Sequence, residues 1–253
     1  MEPIKETGKG EGLETVFNKQ ELQILQGVSY DRLPERVVIS PMSLRVCTEV
    51  WDAYITTPPP EKFSKAHSRM FKHYTRLAAE GDRDATAHLQ KNLEPAKSRY
   101  EFGKQIYSVR GKVIEGVIHM GNKGWITLRK RADGIDDRNS VVHVHNHLAD
   151  HTFSIPDIVS SIGRRKDTPD RCFYFVVGPS KLHLIFPTLE TPYIEGEELR
   201  EKLKVEKTPE YDRALNDGVG FDKAQTILIK EKSRSYKFGF YIGNKDGMLD
   251  RVS

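Results

Sequence analysis

The spacing of apolar residues changes character once along this chain. In residues 43–55, Leu44, Cys47, Val50, Trp51 and Tyr54 recur at helical intervals, and the run stops before Pro58-Pro59-Pro60. That spacing predicts a helix with Ser43 as its cap. Residues 62–79 and 82–100 predict two more helices around Gly81, the second kinked or ended by Pro95. From residue 100 the period falls to two. Residues 102–109, 113–120 and 124–129, separated by Gly111 and by Gly121-Asn122, predict an antiparallel meander, and residues 141–147 predict a short strand. A helix over 155–164 comes next, then a hairpin of 171–177 with 182–186 across Gly178-Pro179. A charged helix over 196–205 follows, and a last hairpin is expected to pair 226–229 with 236–242.

This order predicts an α/β (α+β) chain built on a mixed, curved sheet flanked by helices. Residues 1–20 are polar and weakly periodic, and are expected to be flexible; 21–84 form a helical N-terminal extension, 85–190 the core, and 191–253 an α+β C-terminal extension. No internal repeat or low-complexity tract interrupts it.

Composition narrows the function classes. With 253 residues, 37% hydrophobic and 30% charged, the chain has the make-up of a soluble globular protein, which excludes disorder throughout and a fibrous repeat. Apolar stretches such as 173–177 are far too short to cross a bilayer, and no apolar signal region follows the charged start, so neither membrane insertion nor export is expected. Cys47 and Cys172 have apolar neighbours, as buried free thiols do in a reducing compartment; the expected location is cytoplasmic. Lys and Arg total 40 against 36 Asp and Glu, and the basic residues are scattered in short groups. That distribution speaks against a nucleic-acid partner.

The histidines are distributed less evenly. His143, His145, His147 and His151 crowd into VVHVHNHLADH, with Ser154 and Asp157 just beyond. On a strand, His145 and His147 point to the same side and can hold one ion, and His143 shares that face. Asp157 falls at the start of the expected helix, where a carboxylate can turn back toward the strand end. Two imidazoles and a carboxylate, with a fourth position for water, make the ligand set of a hydrolytic zinc centre. Two other readings stay open: His143 and His145 as the ligand pair, or histidines that only satisfy local hydrogen bonds. His151 suits a substrate contact or a solvated side chain equally well.

His145-Asn146-His147, Ser154 and Asp157 resemble the motif of the JAB/MPN (JAMM) zinc metallopeptidases, in which His-x-His is followed after about seven residues by Ser-x-x-Asp. Here six residues separate His147 from Ser154. The segments DIVSSI and RCFYFVVGPSKLHLIFPT resemble the helix and strand pair that follow the motif, so the likeness spans about residues 85–190. The small polar Asn146 favours the frame of His145 and His147 over that of His143 and His145. The resemblance implies Zn2+ held by His145, His147 and Asp157, a glutamate on an early strand as general base, and Ser154 as a hydrogen-bond donor to the developing oxyanion. Glu94, Glu101 and Glu115 all precede the cluster; Glu101, at the first strand and between Tyr100 and Phe102, is favoured. The implied activity is a peptidase or isopeptidase cutting after the C-terminal tail of a ubiquitin-like protein, with that protein or its conjugates as partner. A RadC-like protein and a non-catalytic MPN-fold interaction protein are the alternatives. An amidohydrolase barrel is disfavoured by the short chain left after His147, and an HNH nuclease by the charge pattern.

Overall fold

The period-two segment after residue 100 does form strands in the computed structural model, which describes residues 12–57, 101–121, 139–147, 151–163, 172–205 and 221–252, together with 73, 76, 77, 85 and 213. The helices expected over 62–79 and 82–100 and the strand expected over 124–129 lie outside these residues, apart from His73, Arg76, Leu77 and Ala85, which are helical. The strands are β1 (Arg36–Val38), β2 (Phe102–Val109), β3 (Lys112–Glu115), β4 (His119–Met120), β5 (Ser140–Asn146), β6 (Phe173–Val177), β7 (Lys181–Pro187), β8 (Phe238–Asn244) and β9 (Met248–Arg251). The α-helices are α1 (Leu13–Val16), α2 (Lys19–Gln26), α3 (Pro41–Thr56), α4 (Ile155–Ile162), α5 (Gly196–Val205) and α6 (Phe221–Tyr236).

The strands form one mixed sheet in the order β1-β9-β8-β7-β6-β5-β2-β3, with β4 also pairing β2. β5 and β6 run parallel and are joined through α4; the other pairs are antiparallel. Alternation along each strand sends side chains to two apolar layers. Val142, Val144, Phe173, Phe175, Leu182, Leu184 and Tyr241 pack on one side with Val46, Cys47 and Val50 of α3. Val176, Ile185, Phe238 and Phe240 pack on the other with Ile158 of α4, Leu199 of α5 and Ile229 of α6. Both cysteines are buried free thiols, and burial pushes that of Cys172 up to about 12. No helix among the described residues is long and apolar enough to cross a membrane.

Several boundaries differ from the pattern. α3 is capped by Ser40, whose Oγ accepts from the Ser43 amide at 3.2 Å, rather than by Ser43. Pro41 then occupies the first helical position, where its missing N–H costs nothing. The strand expected over 113–120 breaks at Gly116, whose amide donates to the Gln105 carbonyl at 2.8 Å. A Cβ there would lie 2.8 Å from that same oxygen, so the close approach requires glycine. The hairpin expected for 226–229 with 236–242 is absent: 226–229 lie inside α6, whose buried positions Ala224, Leu228, Lys232 and Tyr236 recur every four residues. Only the second half is a strand, β8, paired in register with β7 from Lys181↔Asn244 to Pro187↔Phe238. Within the segment expected to be flexible, α1 spans Leu13–Val16, and Val16 and Phe17 are buried.

The two ends of the chain thus meet the core in a single sheet. β8 is paired on both sides and β9 pairs β1 of the N-terminal segment. Gln225 of α6 also donates from Nε2 to the Phe153 carbonyl at 3.0 Å, fixing the loop that leads to Ser154.

Candidate metal centre

The β5–α4 junction gathers the histidines, the serine and the aspartate. Cross-strand register sets Gly103 of β2 opposite His145, so no side chain of the neighbouring strand competes with that imidazole. Glu101 lies just before β2 and His147 just after β5, near enough for both His147 and Asp157 to act on the Glu101 carboxyl. His147 ends the strand, its amide bonded to the Val177 carbonyl at 3.0 Å. The chain then turns into α4, where Ser154 is the N-cap and Asp157 sits in the first turn. Open α/β sheets place ligands at this position, at the carboxyl end of a strand.

His145 and His147 bring their Nε2 atoms to 3.2 Å from each other. Asp157 closes the triangle, with Oδ1 at 3.3 Å from His145 Nε2 and Oδ2 at 3.4 Å from His147 Nε2. Zn–N bonds of about 2.0–2.1 Å at a tetrahedral angle separate two ligand atoms by about 3.3 Å, which the two Nε2 atoms match; with one oxygen taken from Asp157, the three ligand atoms lie within 4.8 Å of one another. His147 Nδ1 lies 3.1 Å from the His151 carbonyl, an acceptor only, so Nδ1 is the donor in that contact and Nε2 is the atom turned to the cluster. It is the backbone of His151, then, that serves the site. Side-chain exposure rises from 5% at His145 to 13% at His147 and 18% at Asp157, so all three side chains are largely buried. Burial alone would raise the Asp157 carboxyl, but His145 and His147 outweigh it and hold the group well below the usual carboxylate range.

Asp157 is positioned by Ser154. Oδ2 accepts from the Ser154 amide at 2.7 Å and from the Ser154 hydroxyl at 2.6 Å, while the Asp157 amide approaches Ser154 Oγ at 3.4 Å. This is a capping box, which Ser-x-x-Asp forms at many helix starts; here its carboxylate also faces two imidazoles. The single hydroxyl proton of Ser154 is engaged with Asp157, so service as an oxyanion donor would require it to leave that carboxylate. Ser154→Ala is expected to lower stability by about 1 kcal/mol through the lost cap. It should also weaken metal binding by about ten- to a hundredfold, as loss of an outer partner of a ligand does. Denaturant titration and competition with a chelator measure the two effects separately.

The remaining candidates separate cleanly. His143 lies outside the triangle, stacked on Tyr174 with centroids 4.6 Å apart and edge-on to His145 at 5.8 Å. Burial, then the neighbouring His145, push its pKa down to about 3, so it is neutral. Glu101 is 8% exposed, and burial pushes its carboxyl up to about 8; the charge of His147 opposes that shift and Asp157 adds to it. Glu115 belongs elsewhere, ion-paired with Arg45 and, at 2.8 Å, with Lys104, which also reaches Glu49 at 2.6 Å. Burial raises its carboxyl, but Arg45 and Lys104 more than offset this and hold it low. Glu94 lies outside the described residues. Among the described residues, His145, His147 and Asp157 are the one group of metal-ligating side chains brought together.

Asn146 was visible in the sequence only as a small polar residue between two ligands. Its side chain turns to the opposite face, is fully buried, and accepts from the Phe102 amide at 2.6 Å. The signal was its position: a carboxamide aimed at the apolar layer between two outward histidines must find a partner there. Comparisons of the chain with protein-family models, with curated proteins and with solved structures returned no match.

Proposed function

We propose that this chain is a zinc-dependent peptidase of the JAB/MPN type, cleaving an amide or isopeptide bond behind the C-terminal tail of a ubiquitin-like protein. The observation that carries the reading is the His145, His147 and Asp157 triangle with a buried carboxylate, Glu101, on which both His147 and Asp157 act. A capping box explains Ser154 and Asp157 alone; it gives no reason for two imidazoles 3.2 Å apart or for Glu101 beside them.

In this reading His145, His147 and Asp157 hold the ion. When bound, zinc lowers the pKa of a water toward neutrality and polarises the scissile carbonyl. Glu101, ionised, accepts the water's proton and passes it to the leaving amine; a bound cation would favour that ionised form against the burial that raises the carboxyl in the metal-free protein. Ser154 holds Asp157 through its amide and hydroxyl, and His151 orients His147 through its carbonyl. Incubation with a ubiquitin-like fusion or isopeptide conjugate tests the reading. Cleavage that 1,10-phenanthroline abolishes and added zinc restores is expected; a zinc-loaded protein that cleaves none of these substrates overturns it.

A further inference from the structure

The peptide group joining Glu101 to Phe102 is held at both of its polar atoms. The Glu101 carbonyl accepts from the Gly121 amide at 2.8 Å, and the Phe102 N–H donates to Asn146 Oδ1 at 2.6 Å. The first bond is backbone to backbone and tolerates any residue that keeps the chain path. The second depends on one side chain. It extends the β2–β5 ladder by one bond beyond Gly103↔His145, the last residue pair of its register.

With both ends of this peptide plane held, the orientation of the Glu101 Cα–Cβ bond is set relative to β5, the strand that carries His145 and His147. Asn146 is fully buried, and its Nδ2 has no hydrogen-bond partner among the described residues. A buried carboxamide with one unsatisfied end is unfavourable, so its retention at this place calls for a use of the satisfied end. Leucine has the same branched skeleton and, though bulkier, leaves no donor unmet.

We propose that Asn146 is a positioning residue for Glu101, a side chain that ties the general base to the strand of the metal ligands. The assignment rests on the reading of Glu101 as the base. It differs from a plain structural role because the bond ends on the peptide of Glu101 itself and on the face of the sheet away from the ligands. A change there can move the base while leaving His145, His147 and Asp157 in place.

Asn146→Leu in the full chain removes the acceptor. The expected results are zinc binding as in the wild type, amide exchange at Phe102 faster by about tenfold or more, and kcat lower by about ten- to a hundredfold at unchanged KM, the scale of a misplaced catalytic group. The deciding comparison uses Glu101→Gln as background. If Asn146 acts through Glu101, adding Asn146→Leu to Glu101→Gln changes turnover less than about twofold, because coupled sites are not additive. A further tenfold fall in the double variant, or an unchanged Phe102 amide, overturns the proposal. Should Asn146→Leu fail to fold, Asn146→Asp keeps an acceptor oxygen and Asn146→Ser falls short of Phe102. Protection of that amide in the first and its loss in the second is then the expected pair, and equal protection in both overturns the assignment. If the wild type cleaves nothing, the peptidase reading fails, and the exchange result alone decides whether Asn146 holds the Glu101 peptide.

Discussion

Purified full-length protein is expected to hold about one zinc per chain, and His147→Ala or Asp157→Ala to lose it together with metal-dependent cleavage. Loss of an outer partner of a ligand costs about ten- to a hundredfold in metal affinity, and removal of a ligand should exceed that. The two variants differ usefully. Asp157→Ala also removes the carboxylate that accepts from the Ser154 amide and hydroxyl, so it should destabilise the start of α4 by about 1 kcal/mol. His147→Ala leaves that cap intact, with only the contact to the His151 carbonyl lost besides. Zinc loss in both, with the smaller stability change in His147→Ala, assigns the loss to ligation rather than to a collapsed helix start. His143→Ala is the control for the other histidine frame. His143 stacks on Tyr174 outside the triangle, so its removal should leave the zinc content unchanged. Retained zinc in His147→Ala combined with loss in His143→Ala would move the centre two residues back along β5. Elemental analysis reads the zinc content of the purified variants, and denaturant titration reads their stability.

The parts of the fold that were legible in the sequence are those where local pattern and tertiary burial agree. β2 occupies residues 102–109 as the period of two predicts, because its alternating faces meet α3 on one side and the site on the other. α5 likewise matches the expected 196–205. The failure at 226–229 has a physical cause: Thr226, Ile227, Leu228 and Ile229 form a short apolar run rich in β-branched residues that periodicity cannot assign, and the burial of Ala224, Leu228, Lys232 and Tyr236 at four-residue intervals, with Ile229 and Tyr236 packed into the second apolar layer, decides for the helix. The break at Gly116 was hidden because a single glycine in an apolar run does not reveal how closely another strand will approach. In the candidate site, residue types and spacing were enough to single out His145, His147, Ser154 and Asp157 as residues that the fold brings together. What they could not supply was direction. That Ser154 turns its proton to Asp157, that His151 contributes a carbonyl, and that Asn146 reaches back to the peptide of Glu101 depend on side-chain orientations set by contacts across the sheet and along the β5–α4 loop.

Glu101→Gln separates chemistry from metal binding. The substitution keeps the shape of the side chain and touches none of the three ligating atoms, so zinc content should remain near that of the wild type. Turnover should fall by at least about a hundredfold, since a positioned general base contributes about 10² to 10⁴ and an amide cannot accept the proton. Glu115→Gln is the matched control. It removes a charge that holds Arg45 and the buried Lys104, so it should cost stability while leaving cleavage unaltered. Glu101→Gln also carries a signature in stability that needs no substrate. In the metal-free protein burial raises the Glu101 carboxyl to about 8 from an ordinary 4.5, so the folded state holds this proton more tightly than the unfolded chain does. Its contribution is complete below about 4.5, and stability declines as pH rises until about 8, above which both states are ionised. Glutamine does not titrate, and the stability difference between Glu101→Gln and wild type should therefore shift in favour of the variant across this window. Denaturant midpoints of metal-free protein at pH 5 and pH 8 measure it. A shift of that sign with unimpaired, metal-dependent cleavage in Glu101→Gln would keep Glu101 in its buried place and remove it from the reaction.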